Sequence, residues 1–182
     1  MVPVLVPERA ELLNALERWV DAGALRALDL ALTGFIAEDG AETDPAVLLA
    51  LALTSERNGH GHVCLDLAGA LAEPRRLLGH LRDDEPANAE VRAELSGWLA
   101  ALSLADWVAR LHASPAVSAR LLEVSARPME ISASLSEAVA SIGDDDAVEP
   151  FVLAGSAGQP LLYLRRYWRY EQQIRQGIAQ RL

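Results

Sequence analysis

Apolar residues recur at helical spacing through most of this chain, and short alternating runs appear at only two places. From Glu8 to Ala22, Leu12, Leu13, Leu16, Trp19 and Val20 share one face, and Gly23 supplies a stop. A second helix is predicted from about Leu25, with Leu25, Leu28, Leu32, Phe35 and Ile36 inward. It ends at the acidic stretch Glu38-Asp39-Gly40. Asp44-Pro45 reads as N-cap and first residue of a third helix. Its sequence, AVLLALALT, is apolar nearly all round, which places it at the centre of the domain.

Further along, His62 to Leu67 alternates, with Val63, Leu65 and Leu67 on one face, and predicts a short strand near 62–67. It hands over near Asp66 to a helical turn, Leu67 to Leu71. Pro74 to Pro86 predicts a short helix and an acidic loop. Asn88 to Ala101 is a helix with Val91, Leu95, Trp98 and Leu99 in register. Ser103 starts another in capping-box fashion, carrying Leu104, Trp107, Val108 and Leu111. Ser114-Pro115 is expected to open one more, using Val117, Leu121 and Val124. Ser134 to Glu137 is a second capping box, before a brief helix that stops at Gly143.

The second alternating region is a β-hairpin, Phe151 to Leu153 and Leu161 to Leu164, across a longer loop at Gly155 to Gly158. A last helix follows, expected to bury Tyr167, Tyr170, Ile174 and Ile178, with Glu171 and Arg175 paired at i,i+4. The fold class is mainly α with a small β element (α+β). It is a bundle of short helices in a single domain over 1–182.

Composition narrows the chemistry. All sixteen basic residues are arginine, so a phosphate loop ending in Gly-Lys-Ser/Thr and lysine Schiff-base chemistry are both excluded. One cysteine, Cys64, rules out an intrachain disulfide and fits a reducing, cytoplasmic setting. The start of the chain has neither the basic region nor the cleavage signature of a signal peptide, and no apolar run is long enough to span a membrane. The net charge of −10 is unevenly spread: residues 165–182 carry +4 and the first 164 carry −14. Such a chain does not coat nucleic acid broadly.

Three candidate sites emerge. On an extended backbone His60, His62 and Cys64 would share a face as zinc ligands, yet three ligands on one strand leave a tetrahedral site incomplete, and His80 and His112 stand alone. No metal site is therefore assigned. Cys64 between Val63 and Leu65 reads as a buried, inert thiol. No Gly-x-Ser-x-Gly elbow is present, and the plentiful carboxylates lie on solvent faces or in loops where no pair can be nominated for acid–base work, so neither catalytic residues nor a cofactor site nor a small-molecule substrate is assigned. The strongest candidate is the segment 165–170, where Arg165, Arg166, Trp168 and Arg169 suit a partner protein or DNA phosphates.

Two stretches carry a resemblance. Ala50-Leu-Ala-Leu-Thr-Ser followed by Gly61-His-Val-Cys-Leu-Asp-Leu67, and later Leu162-Tyr-Leu-Arg-Arg-Tyr-Trp-Arg-Tyr-Glu171, together resemble the N-terminal domain of RecD, the alpha subunit of exodeoxyribonuclease V. Val124 to Ile142 looks like an insertion relative to that pattern. The resemblance implies a heterotrimeric, ATP-dependent helicase–nuclease that processes double-strand DNA ends in recombinational repair. It implies a non-catalytic domain that docks the motor onto the beta and gamma subunits, chiefly gamma, and reaches DNA through the assembled complex. ATP and Mg belong to a helicase core expected to be absent from this chain. The alternative expectation is a DNA-contacting module built on segment 165–170.

Overall fold

Eight consecutive residues of the third helix, Ala46 to Leu53, are completely enclosed, and the other elements are arranged around them. The computed structural model describes residues 7–82, 84–122 and 148–181. That central helix, α3 (Pro45–Gly59), begins as its sequence predicts, with the Asp44 carboxylate accepting from the Ala46 amide at 2.8 Å. Before it come α1 (Arg9–Asp21) and α2 (Ala27–Glu38). After it come β1 (Cys64–Asp66), α4 (Leu67–Ala72) and a 3-10 turn (Pro74–Arg76). The helices α5 (Pro86–Ala100) and α6 (Leu104–Ala113) precede β2 (Val117–Leu122). The hairpin strands β3 (Phe151–Ser156) and β4 (Gln159–Leu164) run directly into α7 (Arg165–Ala179). Among the described residues the fold is therefore mostly helical with one small sheet, the α+β class expected.

Tryptophans tie the helices together through both their rings and their N–H groups. Trp19 of α1 stacks on Trp98 of α5 at 5.2 Å, and its Nε1 donates to Glu94 at 2.8 Å. Trp107 of α6 is fully enclosed and donates to the Ala46 carbonyl at 2.8 Å. Each ring buries a large apolar area while its single polar atom finds an acceptor.

The sheet has the order β1-β4-β3-β2, with β1 and β3 antiparallel to β4 and β2 parallel to β3. β1 is shorter than the alternation suggested, because Val63 faces solvent, while Leu65 and Leu67 are buried as expected. Asp66 caps α4, accepting from Gly69 at 3.0 Å. The hairpin turn is tighter than expected, since Ser156 faces Gln159 and only two residues intervene. Gly155 makes that approach possible: its φ is +94°, and a Cβ there would overlap the Gln159 carbonyl.

Three expectations are corrected. Residues 117–122 form a strand where a helix from Ser114-Pro115 was expected. Ser114 ends α6 instead, in the extended conformation that a following proline favours, and its hydroxyl is taken by buried Glu42 and the Ala116 amide. The open edge of β3 then pairs with this segment residue by residue, from Val117 opposite Phe151 to Leu122 opposite Ser156. Second, α2 is rotated from its apolar pattern: Asp29, Thr33, Ile36 and Ala37 face inward, while Leu28 is 62% and Phe35 61% exposed. Third, α7 turns Arg165 and Gln172 inward and leaves Tyr170, Ile174 and Ile178 at 56–64% exposure. Val124 and the capping box from Ser134 to Gly143 lie outside the described residues.

Candidate functional site

The rotation of α2 has a local cause. Asp29, one residue from the Leu28 stripe, accepts from the Arg26 amide at 2.8 Å and from its guanidinium at 2.6 and 3.1 Å. The Ser55 hydroxyl of α3 donates to the same carboxylate at 2.7 Å, and Arg26 donates onward to the Ser55 carbonyl at 2.7 Å. Thr33 closes the inner face by donating to the Asp29 carbonyl at 2.8 Å. These hydrogen bonds fix a charged network between α2 and α3, and Leu28 and Phe35 follow to the outside, while Leu32 stays partly buried against the core. A Cβ at Gly59 would overlap the Arg26 guanidinium, so the end of α3 passes close against it.

On α7 the inward positions are Arg165, Trp168 and Gln172, spaced i, i+3 and i+7. Trp168 meets Tyr163 of β4 edge-on at 5.3 Å and packs with Val152 and Ala154 of β3. Arg165 is buried and donates to the Glu149 main-chain carbonyl and, at 3.3 Å, to its carboxylate. The opposite face carries Tyr167, Tyr170, Ile174 and Ile178, with the two tyrosine rings 6.3 Å apart. Between the two helices lies an open groove of about 380 Å³, lined by Arg26, Leu28, Leu32, Asn58, Arg166 and Tyr167 among others. The groove thus takes Leu28 and Leu32 from α2 and Arg166 and Tyr167 from the first turn of α7.

Segment 165–170 is consequently divided. Arg165 points into the protein, Trp168 is half-buried in the sheet, and Arg166 and Arg169 are exposed. The Arg166 guanidinium lies 4.7 Å from the centre of the Tyr167 ring, a cation–π contact. Arg175 and Glu171 pair at 2.6 Å, as their i,i+4 spacing predicted.

His60, His62 and Cys64 do not share a face. His60 caps α3, His62 sits on the exposed turn after it, and Cys64 pairs with Tyr163 across the sheet. Burial pushes the Cys64 thiol above its usual pKa, consistent with an unreactive group. His80 does not stand alone: its ring stacks on His60 with centroids 4.2 Å apart. Both rings adjoin Glu56, whose Oε1 is 2.9 Å from His60 Nδ1 and 3.5 Å from His80 Nδ1. Neither approach has hydrogen-bond geometry, and both Glu56 side-chain oxygens are buried without a hydrogen bond. Desolvation raises this carboxyl from 4.5 to about 7, against the opposing pull of His60 and Arg57. Glu56 is absent from the candidates drawn from the sequence; its i,i+4 spacing from His60 is the one signal that could have found this half of the cluster, and nothing in the sequence brings His80 to it.

Among the described residues, no helix is long and apolar enough to cross a membrane. The family model described as the RecBCD enzyme subunit RecD, N-terminal domain, matches residues 21–135. That span takes in the Gly61 to Leu67 motif and leaves Leu162 to Glu171 outside. No curated protein and no solved structure matches the chain.

Proposed function

This chain belongs to the family of RecD N-terminal domains of the RecBCD enzyme, and we propose that it serves there as a non-catalytic docking domain. The observation that supports the reading is the apolar surface exposed on two helices, Leu28 and Phe35 on α2 and Tyr170, Ile174 and Ile178 on α7, together with a groove lined by Leu28, Leu32, Arg166 and Tyr167. Large apolar side chains left exposed are a common feature of protein interfaces, and tyrosine and arginine, here Tyr167 and Arg166 in the groove, are typical anchors. The partners are the other two subunits of the complex, with the gamma subunit as the main contact, in the cytoplasm. DNA is reached through the assembled complex, and ATP and Mg act at the motor rather than here.

The test is co-expression with the beta and gamma subunits. Phe35→Glu combined with Ile174→Glu alters only exposed positions, so the variant should keep the circular dichroism and melting temperature of the parent while failing to co-purify with its partners. Stoichiometric assembly of the folded variant would overturn the docking role. A second reading, direct DNA contact, draws on exposed Arg166 and Arg169 beside Tyr167 and Tyr170. It requires salt-dependent binding of the chain to single strands that weakens in Arg166→Ala and Arg169→Ala. The commitment of Arg165 to Glu149 and of Trp168 to the sheet supports the protein interface over this reading.

A further inference from the structure

We propose that Glu56, His60 and His80 form a binding site for a divalent transition-metal ion of the zinc type. The site is independent of the docking surface. Its three ligands come from two segments: Glu56 and His60 lie one turn apart at the end of α3, and His80 follows the turn after Pro74–Arg76. Their ligand atoms all fall within 4.8 Å of one another. Zinc bonds of roughly 2.0–2.1 Å in a tetrahedron place ligand atoms about 3.3–3.4 Å apart. The two Nδ1 atoms, 2.9 and 3.5 Å from the same Glu56 oxygen, bracket that separation.

The second observation is the carboxylate itself. Glu56 is 1% exposed, and its oxygens have no hydrogen bond to satisfy them, an arrangement rarely kept in a protein interior without a countercharge. A cation placed between the carboxylate and the two imidazoles supplies that charge. The negative end of the α3 dipole acts in the same direction.

Two imidazoles with one carboxylate suit zinc and its neighbours, whereas calcium and magnesium prefer oxygen donors alone. His60 Nδ1 lies 3.2 Å from the Glu56 main-chain carbonyl, which can only accept, so ligation through Nδ1 requires the proton to move to Nε2 and that hydrogen bond to be given up. Side-chain exposures of 40% for His60 and 28% for His80 give the ion a route in and leave a fourth position for water. The bound ion would fasten the 77–82 segment to the end of α3.

The experiment uses the purified chain after chelator treatment. Zinc is titrated by calorimetry, and cobalt is added as a spectroscopic probe. The expected result is one ion per chain, the visible absorption of four-coordinate cobalt, and a higher melting temperature with zinc. Glu56→Gln and His80→Ala should each weaken binding by about a hundredfold. The first is isosteric and the second lies at a partly exposed side chain, so at least one remains folded. His62→Ala and Cys64→Ser should bind as the parent does. No stoichiometric binding overturns the site, as does unchanged affinity in Glu56→Gln and His80→Ala, or loss of binding in His62→Ala or Cys64→Ser.

Discussion

The Ser55 hydroxyl donates to the fully enclosed Asp29 carboxylate at 2.7 Å, and with the Arg26 bond to the Ser55 carbonyl it couples the register of α2 to α3. Removing the carboxylate strands a partly buried arginine and two further donors. Asp29→Ala should therefore cost about 3–5 kcal/mol in urea unfolding. Ser55→Ala, which removes one of several partners, should cost about 1–2 kcal/mol. Equal losses from the two substitutions would contradict the central place given to Asp29.

Glu56 predicts the pH dependence of the metal-free chain. A carboxyl held at about 7 in the fold and 4.5 in the unfolded chain binds its proton more tightly when folded. Its stabilising contribution is complete below pH 4.5 and is lost as the pH rises through 7. The loss is on the order of 2–3 kcal/mol by pH 8. The groups facing it are His60, His80, Arg57, Arg26 and Asp29, none of which is altered in Glu56→Gln. That variant should flatten the decline, and a parallel decline in both proteins would assign it elsewhere.

Trp107→Phe tests the α6 anchor. It deletes the donor to the Ala46 carbonyl and leaves a void in an enclosed site, so about 2 kcal/mol should be lost in chemical denaturation. A change below 0.5 kcal/mol, roughly the scatter of a surface substitution, would show that the site collapses around the smaller ring.

Cys64 offers a reporter of local opening. Being half-buried opposite Tyr163, with its thiol pKa pushed up by burial, it should react with disulfide reagents at pH 8 far more slowly than a free thiol. Unfolding should restore the ordinary rate. Fast labelling of the folded chain would mean that β1 detaches readily from β4.

The helices were legible where apolar spacing and caps agreed, as at Asp44-Pro45 and Ser103, because both signals are local. The two reversed faces were not. On α2 the pattern ranked Leu28 and Phe35 as inward, yet Asp29 prevailed through Ser55, a partner 26 residues away. On α7, Tyr163 and Val152 of the hairpin draw Trp168 inward, and no periodicity within the helix encodes that preference. The strand at 117–122 was hidden for the same reason, since its pairing partner begins at Phe151. His80 reaches Glu56 through tertiary folding alone, so the candidate metal cluster left only its Glu56/His60 half in the sequence.

The strand order has one more consequence, for the timing of assembly. The two middle strands, β3 and β4, leave the ribosome after the flanking β1 and β2, which are made long before them. A nascent chain therefore holds two strands with vacant edges until residue 164 has emerged. A fragment cut at residue 135, the boundary of the family match, would retain those edges permanently and aggregate.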